Sequence, residues 1–167
     1  MKKHRKAIVA LAAVAAVLAT AGSVLATGSV GLSTTFLANQ ISFGPIDVTA
    51  HGTNPSVWQM RLKTKGMSDG YVVDNKLAPG GTTGWHGHPG PSLIFVVQGT
   101  VTNYEADDPT CTGTPYTAGH GFVDSGQDVH TLRNEGTVDA ETIAVQLVPA
   151  GATRRIDVTP GPANCPF

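Results

Sequence analysis

The stretch Gly80 to Gly99, GGTTGWHGHPGPSLIFVVQG, constrains this chain more than any other. His86 and His88 stand one residue apart among Gly84, Gly87, Pro89, Gly90 and Pro91, and the apolar run Leu93 to Val97 follows at once. Helix is excluded here, because glycine costs backbone entropy and proline removes a donor and clashes with the preceding turn. In an extended backbone the two imidazoles leave one face about 6.6 Å apart at Cα, so both can reach one metal ion. The rest of the chain must then supply a further ligand and an enclosure.

At 167 residues the chain can bury one substantial core but not two. Charged residues make up 14%, against roughly 25% in an average globular protein, while 20 glycines and 11 prolines favour a turn-rich β protein over a helical one. Four of the eleven basic residues, Lys2, Lys3, Arg5 and Lys6, precede the first apolar run. The remainder carries seven basic against twelve acidic residues, which argues against a nucleic-acid partner.

The N-terminus reads as an export signal, with a basic start, an uncharged apolar run from Ala7 to Leu18 and then small residues. Cleavage is expected after Val24-Leu25-Ala26, with Ala19-Thr20-Ala21 as a second acceptable site. This gives a signal peptide over 1–26, a lead-in over 27–40 and one domain over 41–167. The alternative is an uncleaved anchor, since Ala7 to Ala26 as a helix would measure about 30 Å, a bilayer's hydrocarbon thickness. After cleavage no membrane contact is expected.

Only Cys111 and Cys165 are present, and in an exported protein such a pair is most simply a disulfide. Neither has a CxxC neighbour, which speaks against a thiol ligand or nucleophile, and both sit in Pro-rich surroundings typical of exposed loops. The bond would tie the tail PGPANCPF back across the domain.

From Ala38 onward the pattern is that of short strands. Trp58, Met60 and Leu62 alternate with polar residues, Gly70 to Ala78 ends at a turn signal, Pro79-Gly80-Gly81, and Ser92 to Val97 faces a partner strand, Thr100 to Glu105, across Gln98-Gly99. Further strands are expected at Phe122-Val123, Val129 to Arg133, Glu141 to Val148 and Arg154 to Val158. His51 reads as an exposed turn residue, and His120, flanked by Gly119 and Gly121, as a solvated turn histidine with a metal ligand as the alternative. Eight to ten strands with frequent turns and no amphipathic helix mean an all-β sandwich or barrel.

These residues resemble the cupins, whose first motif is a glycine, five residues, His-x-His, three or four residues, a glutamate, six residues and a glycine. Gly80, His86, His88 and Gly99 keep that spacing without a gap, and Ser92 stands where the family has its carboxylate ligand. His130 and Asn134 fit the end of the second motif, while Ser125 and Gly126 match its proline and glycine only loosely. The resemblance, over roughly residues 70 to 150, implies a double-stranded β-helix, or jelly-roll barrel. At its mouth one divalent metal ion would sit on His86, His88 and His130.

Three imidazoles leave coordination positions open for water or substrate. Without a carboxylate at Ser92 the site is neutral apart from the ion, so the family's oxygenase chemistry does not transfer directly. Asp128, two residues before His130, would share its inward face on one strand and is the local candidate for ligand or orienting acceptor; the alternative is a polar turn residue. Imidazole suits zinc, copper, iron and nickel, and because an oxidising compartment makes a ferrous site harder to maintain, zinc, manganese and copper stand beside iron as candidates.

Three functional readings stay open. One is a dioxygenase-like or isomerase-like enzyme acting on a small-molecule ligand, with Asp128 or Tyr104 as catalytic proton-transfer groups. Another is a non-catalytic metal or small-ligand carrier. The third is an extracellular structural module, and the assembly, monomer or homodimer, is equally open.

Overall fold

Twelve strands and no helix make up the described residues, 28–54 and 56–167, of the computed structural model. The expected signal peptide, 1–26, lies outside them. In chain order the strands are β1 (Val30–Phe43), β2 (Asp47–His51), β3 (Gln59–Lys63), β4 (Ser68–Thr82), β5 (His86–Gly87) and β6 (Ser92–Gln98). There follow β7 (Thr100–Glu105), β8 (Thr114–Thr117), β9 (Gly121–Asp124), β10 (His130–Arg133), β11 (Ala140–Pro149) and β12 (Ile156–Asp157).

Strand β4 organises the barrel. Along one edge it pairs antiparallel with β1, from Val30↔Thr82 to Phe43↔Ser68. Along the other it pairs with β11, from Ala140↔Leu77 to Pro149↔Ser68, and β11 passes the ladder on to β6 and β6 to β9. At its far end Thr82 pairs with Arg133 of β10, which carries β7 and then β8 on one side and β5 with β12 on the other. The result is a nearly closed antiparallel jelly-roll barrel; β2 and β3 form a separate hairpin.

Three expectations about strands are corrected. The turn at Pro79-Gly80-Gly81 is instead a bend inside β4. Gly80 has φ +74°, its N–H donates to the Asn134 carbonyl (2.8 Å), and the Asn134 N–H donates to the Gly81 carbonyl (2.9 Å). A Cβ on Gly81 would lie 2.7 Å from the Ala78 oxygen, so the strand can switch partners from β11 to β10 only with glycine there.

The second correction is that β6 and β7 do not pair across Gln98-Gly99. Gly99 (φ +66°) turns the chain from one sheet to the other, where a Cβ would lie 2.6 Å from the Asp139 oxygen, and each strand finds other partners. The third is that most of the lead-in, from Val30 on, is strand. Mainly exposed on both faces, β1 is held by its backbone ladder to β4, and a strand held that way shows no apolar alternation.

The inner faces supply the core, with Tyr71, Val73, Ile94, Ala144 and Val148 in one cluster and Val96, Val101 and Ala140 in another. Each large apolar side chain removed from water there contributes about 1.5–3 kcal/mol. Cys111 and Cys165 are joined, 54 residues apart and 5.3 Å between Cα atoms. Cys165 is buried rather than exposed, and beyond it Phe167 stacks on Trp85 and receives the Arg133 guanidinium 4.1 Å from its ring centre. The tail is thus packed on the barrel.

Candidate metal centre

His86 and His130 face each other across the β5–β10 pair, in direct register, and His88 follows just beyond β5. All three are buried, and one nitrogen from each lies within 4.8 Å of the others. Two tautomers are fixed by backbone. The His86 Nδ1–H donates to the Gly84 carbonyl and the His88 Nδ1–H to the Arg154 carbonyl, each at 2.8 Å, so both Nε2 atoms carry lone pairs, that of His88 with the Gln146 amide nitrogen 3.4 Å away.

His130 completes the test of whether these residues suit an ion. Its Nε2 is 3.3 Å from the bare Nε2 of His86, and its Nδ1 is 3.8 Å from Asp124 Oδ1, with no hydrogen-bond partner. If the proton sits on Nε2, a lone pair on Nδ1 confronts a carboxylate. If it sits on Nδ1, two lone pairs confront each other at the centre. A cation between the Nε2 atoms relieves the second arrangement, and two nitrogens bound tetrahedrally at 2.0–2.1 Å would themselves be about 3.4 Å apart. The donor set therefore fits a metal ion.

Electrostatics agree. Burial above all, then His130, Arg155 and His88, presses the His86 pKa far below the usual imidazole range. Burial also lowers His88, and pushes His130 down to about 4 even though Asp124 opposes the shift. At neutral pH all three rings are neutral, the form that ligates metal.

Beside the rings a row of inward side chains crosses three strands, Gln146 on β11, Ser92 on β6 and Asp124 on β9, in register and all buried. The Gln146 amide donates to Ser92 Oγ (2.8 Å) and accepts from Arg154 Nη1 (2.7 Å). Asp124 Oδ1 accepts from the Gly126 N–H (2.8 Å), while Oδ2, 4.0 Å from His88 Nε2, has no hydrogen-bond partner. The carboxylate that Ser92 lacks thus stands on the adjoining strand.

Asp124 was not among the residues singled out in the sequence. A period-2 reading that continued past Val123 would place it on the inner face with Phe122, which packs against the core. Asp128, by contrast, is exposed in the turn before β10 and accepts from the Ser125 hydroxyl (2.7 Å), so its expected inward position is not found. Tyr104 donates to Glu135 at the surface (2.7 Å) and does not line the cavity beside the histidines. His120 is exposed beside Thr117, and exposed His51 ends β2 rather than lying in a turn.

The histidines open into a cavity of about 250 Å³. Ser92, Gln146, Arg154 and Arg155 line it on the polar side, with Ile94, Leu132 and Ala144 among its apolar walls.

Residues 75–146 match the family model described as Cupin domain. Over this stretch the chain is similar to cupin domains. Among solved structures, an oxalate oxidase is 21% identical, with 84% of this chain matched to 61% of that one at a TM-score of 0.50. Peruvianin-I, a cysteine peptidase from Thevetia peruviana latex, is 24% identical over 77% of this chain and 67% of its own, with a TM-score of 0.49. A double-stranded β-helix protein from Klebsiella pneumoniae is 20% identical over 70% and 86%, with a TM-score of 0.46. At these identities the likeness is one of fold. No curated protein matches the chain.

Proposed function

We propose that this is an exported cupin holding one divalent metal ion on His86, His88 and His130 and using it on a small molecule that enters the adjoining cavity. The observation that carries the reading is the convergence of three imidazole nitrogens within 4.8 Å in a buried cluster, with the Nδ1 atoms of His86 and His88 turned outward to backbone carbonyls. Asp124 adds a buried negative charge, and its carboxylate lies 3.8 Å from the outer nitrogen of His130, on the side from which carboxylates orient metal-bound histidines. Iron, manganese, zinc and copper all suit the donor set. Such an ion, when bound, supplies Lewis acidity or a redox centre. Export, with cleavage after Ala26 and a domain that follows, accords with the Cys111–Cys165 disulfide, since such bonds persist in oxidising compartments.

Elemental analysis of tag-free protein purified from its native compartment tests the reading. About one metal equivalent per chain is expected, and less than a tenth of that in the His86→Ala/His88→Ala variant. A metal-free native protein, or full occupancy in the variant, overturns it.

A carrier without turnover is the second reading, and one observation favours it. Among the described residues no Asp, Glu or Tyr side chain lines the cavity, so the wall they form offers histidine alone of the usual proton-transfer groups. Oxygen consumption by the metal-loaded protein with a panel of enols, catechols and thiols separates the two, turnover supporting the enzyme.

A further inference from the structure

The cavity wall is cationic beyond what the histidines need. Arg154 and Arg155 both line it, and among the described residues no carboxylate does. Arg155 is answered close by, donating from Nε to Asp157 Oδ1 and from Nη2 to the Thr83 carbonyl, both at 2.6 Å. Arg154 is not. Its guanidinium donates to the neutral Gln146 amide and lies 5.2 and 6.0 Å from the ring centres of Phe36 and Tyr71, and among the described residues it forms no ion pair. A half-buried guanidinium held by neutral groups attracts an anion, and an ion on the histidines would add to that field.

Two further features narrow the ligand. Thr142, fully buried, also lines the cavity, and its hydroxyl has no hydrogen-bond partner. Leu32, Phe36, Ile94, Leu132 and Ala144 give the cavity an apolar wall, which inorganic anions do not use. Its volume of about 250 Å³ suits a ligand of roughly ten non-hydrogen atoms.

We infer that the cavity takes a small organic carboxylate, its charge met by Arg154, its apolar body against the Ile94 and Leu132 wall, and a second oxygen turned toward the three histidines. This deepens the metal-site reading and rests on it for the second oxygen only. Arg154 and His88 are linked through the Gln146 amide, whose nitrogen lies 3.4 Å from His88 Nε2, so one short molecule can span both. Burial, followed by the repulsion of Arg155, presses the Arg154 pKa downward, a shift that a bound anion would oppose.

Calorimetric titration of tag-free, cobalt(II)-loaded protein tests this with benzoate, its neutral isostere benzamide, salicylate and inorganic phosphate. Benzoate is expected to bind at least tenfold more tightly than benzamide and than phosphate, and salicylate to shift the visible cobalt bands. Arg154→Met should lower benzoate affinity tenfold or more without changing that for benzamide, and Arg154→Lys should recover part of it. Circular dichroism verifies that the variants fold, and the benzoate–benzamide comparison needs no variant. Equal binding of benzoate and benzamide, tighter binding of phosphate, or an Arg154→Met variant with unchanged benzoate affinity overturns the inference. Failure to load cobalt overturns the metal reading instead, while a tenfold benzoate preference in that metal-free protein still upholds the Arg154 site.

Discussion

Strand β6 turns Ser92, Ile94 and Val96 into the barrel and Leu93, Phe95 and Val97 to its outside, and the outer trio is the more apolar. Those outer residues are 45–50% exposed, and Val123 and Val145, both register partners of Leu93, extend the apolar face over β9 and β11. Inside, the same three strands spend buried positions on Ser92, Asp124, Thr142 and Gln146. Burying a polar group without a partner costs about 1–3 kcal/mol, so an interior of this kind persists where the groups serve a ligand. Apolar side chains at a surface carry no such cost and individually imply little.

The largest effect bearing on this contrast comes from outside both faces. Reducing the Cys111–Cys165 bond should destabilise the barrel by about 4 kcal/mol, from the entropy of a loop of this length; denaturant unfolding with and without reductant measures it. Thiol titration of unreduced, unfolded protein should find no free thiol.

Within β6, Ile94→Ala should cost about 2–5 kcal/mol, whereas Phe95→Ala should cost about 0.5 kcal/mol or less if its face is open to water. The same unfolding measurement distinguishes them. A Phe95→Ala cost above about 2 kcal/mol, together with a halved mass in solution, would show that a second copy covers the outer face and would erase the contrast.

For the polar side, Asp124→Asn should weaken metal affinity about 10- to 100-fold, and adding Ser92→Glu should recover most of it, both read by competition with a chromophoric chelator. An unchanged affinity would reduce Asp124 to a structural residue.

A pH dependence tests the same polar interior. Burial lowers the folded-state pKa of His130 to about 4 from 6.5, so the unfolded chain binds protons first as pH falls. Stability of the metal-free protein should be constant above pH 6.5 and decline between 6.5 and 4. His130→Asn should shrink that decline, leaving the part that the lowered His86 and His88 contribute, as followed by thermal unfolding across pH.

What the sequence disclosed follows from the same contrast. The His-x-His spacing between Gly80 and Gly99 pointed to the barrel through its resemblance to the cupin motif, while the strand pattern alone left sandwich and barrel open. The histidines themselves were legible as a cluster. Asp124 escaped because a four-residue strand, Gly121–Asp124, offers too few alternations to show its inner face. Arg154 escaped because nothing local marks it, and its role comes from a tertiary neighbour, Gln146, on another strand. Strand β1 escaped for the reason that edge strands do: its ladder to β4, rather than its side chains, holds it.

Arg154 serves the site twice, from its carbonyl to His88 and from its guanidinium to the cavity, and it lies between β11 and the cysteine that anchors the tail. A protease cutting between Ala150 and Arg154 would therefore spare all three histidines and leave the pieces covalently joined through Cys165. The mass on a non-reducing gel would not change, yet one imidazole would lose the carbonyl that fixes its proton. Intact mass is thus no assurance of an intact centre, and reducing gels belong beside every metal assay of this protein.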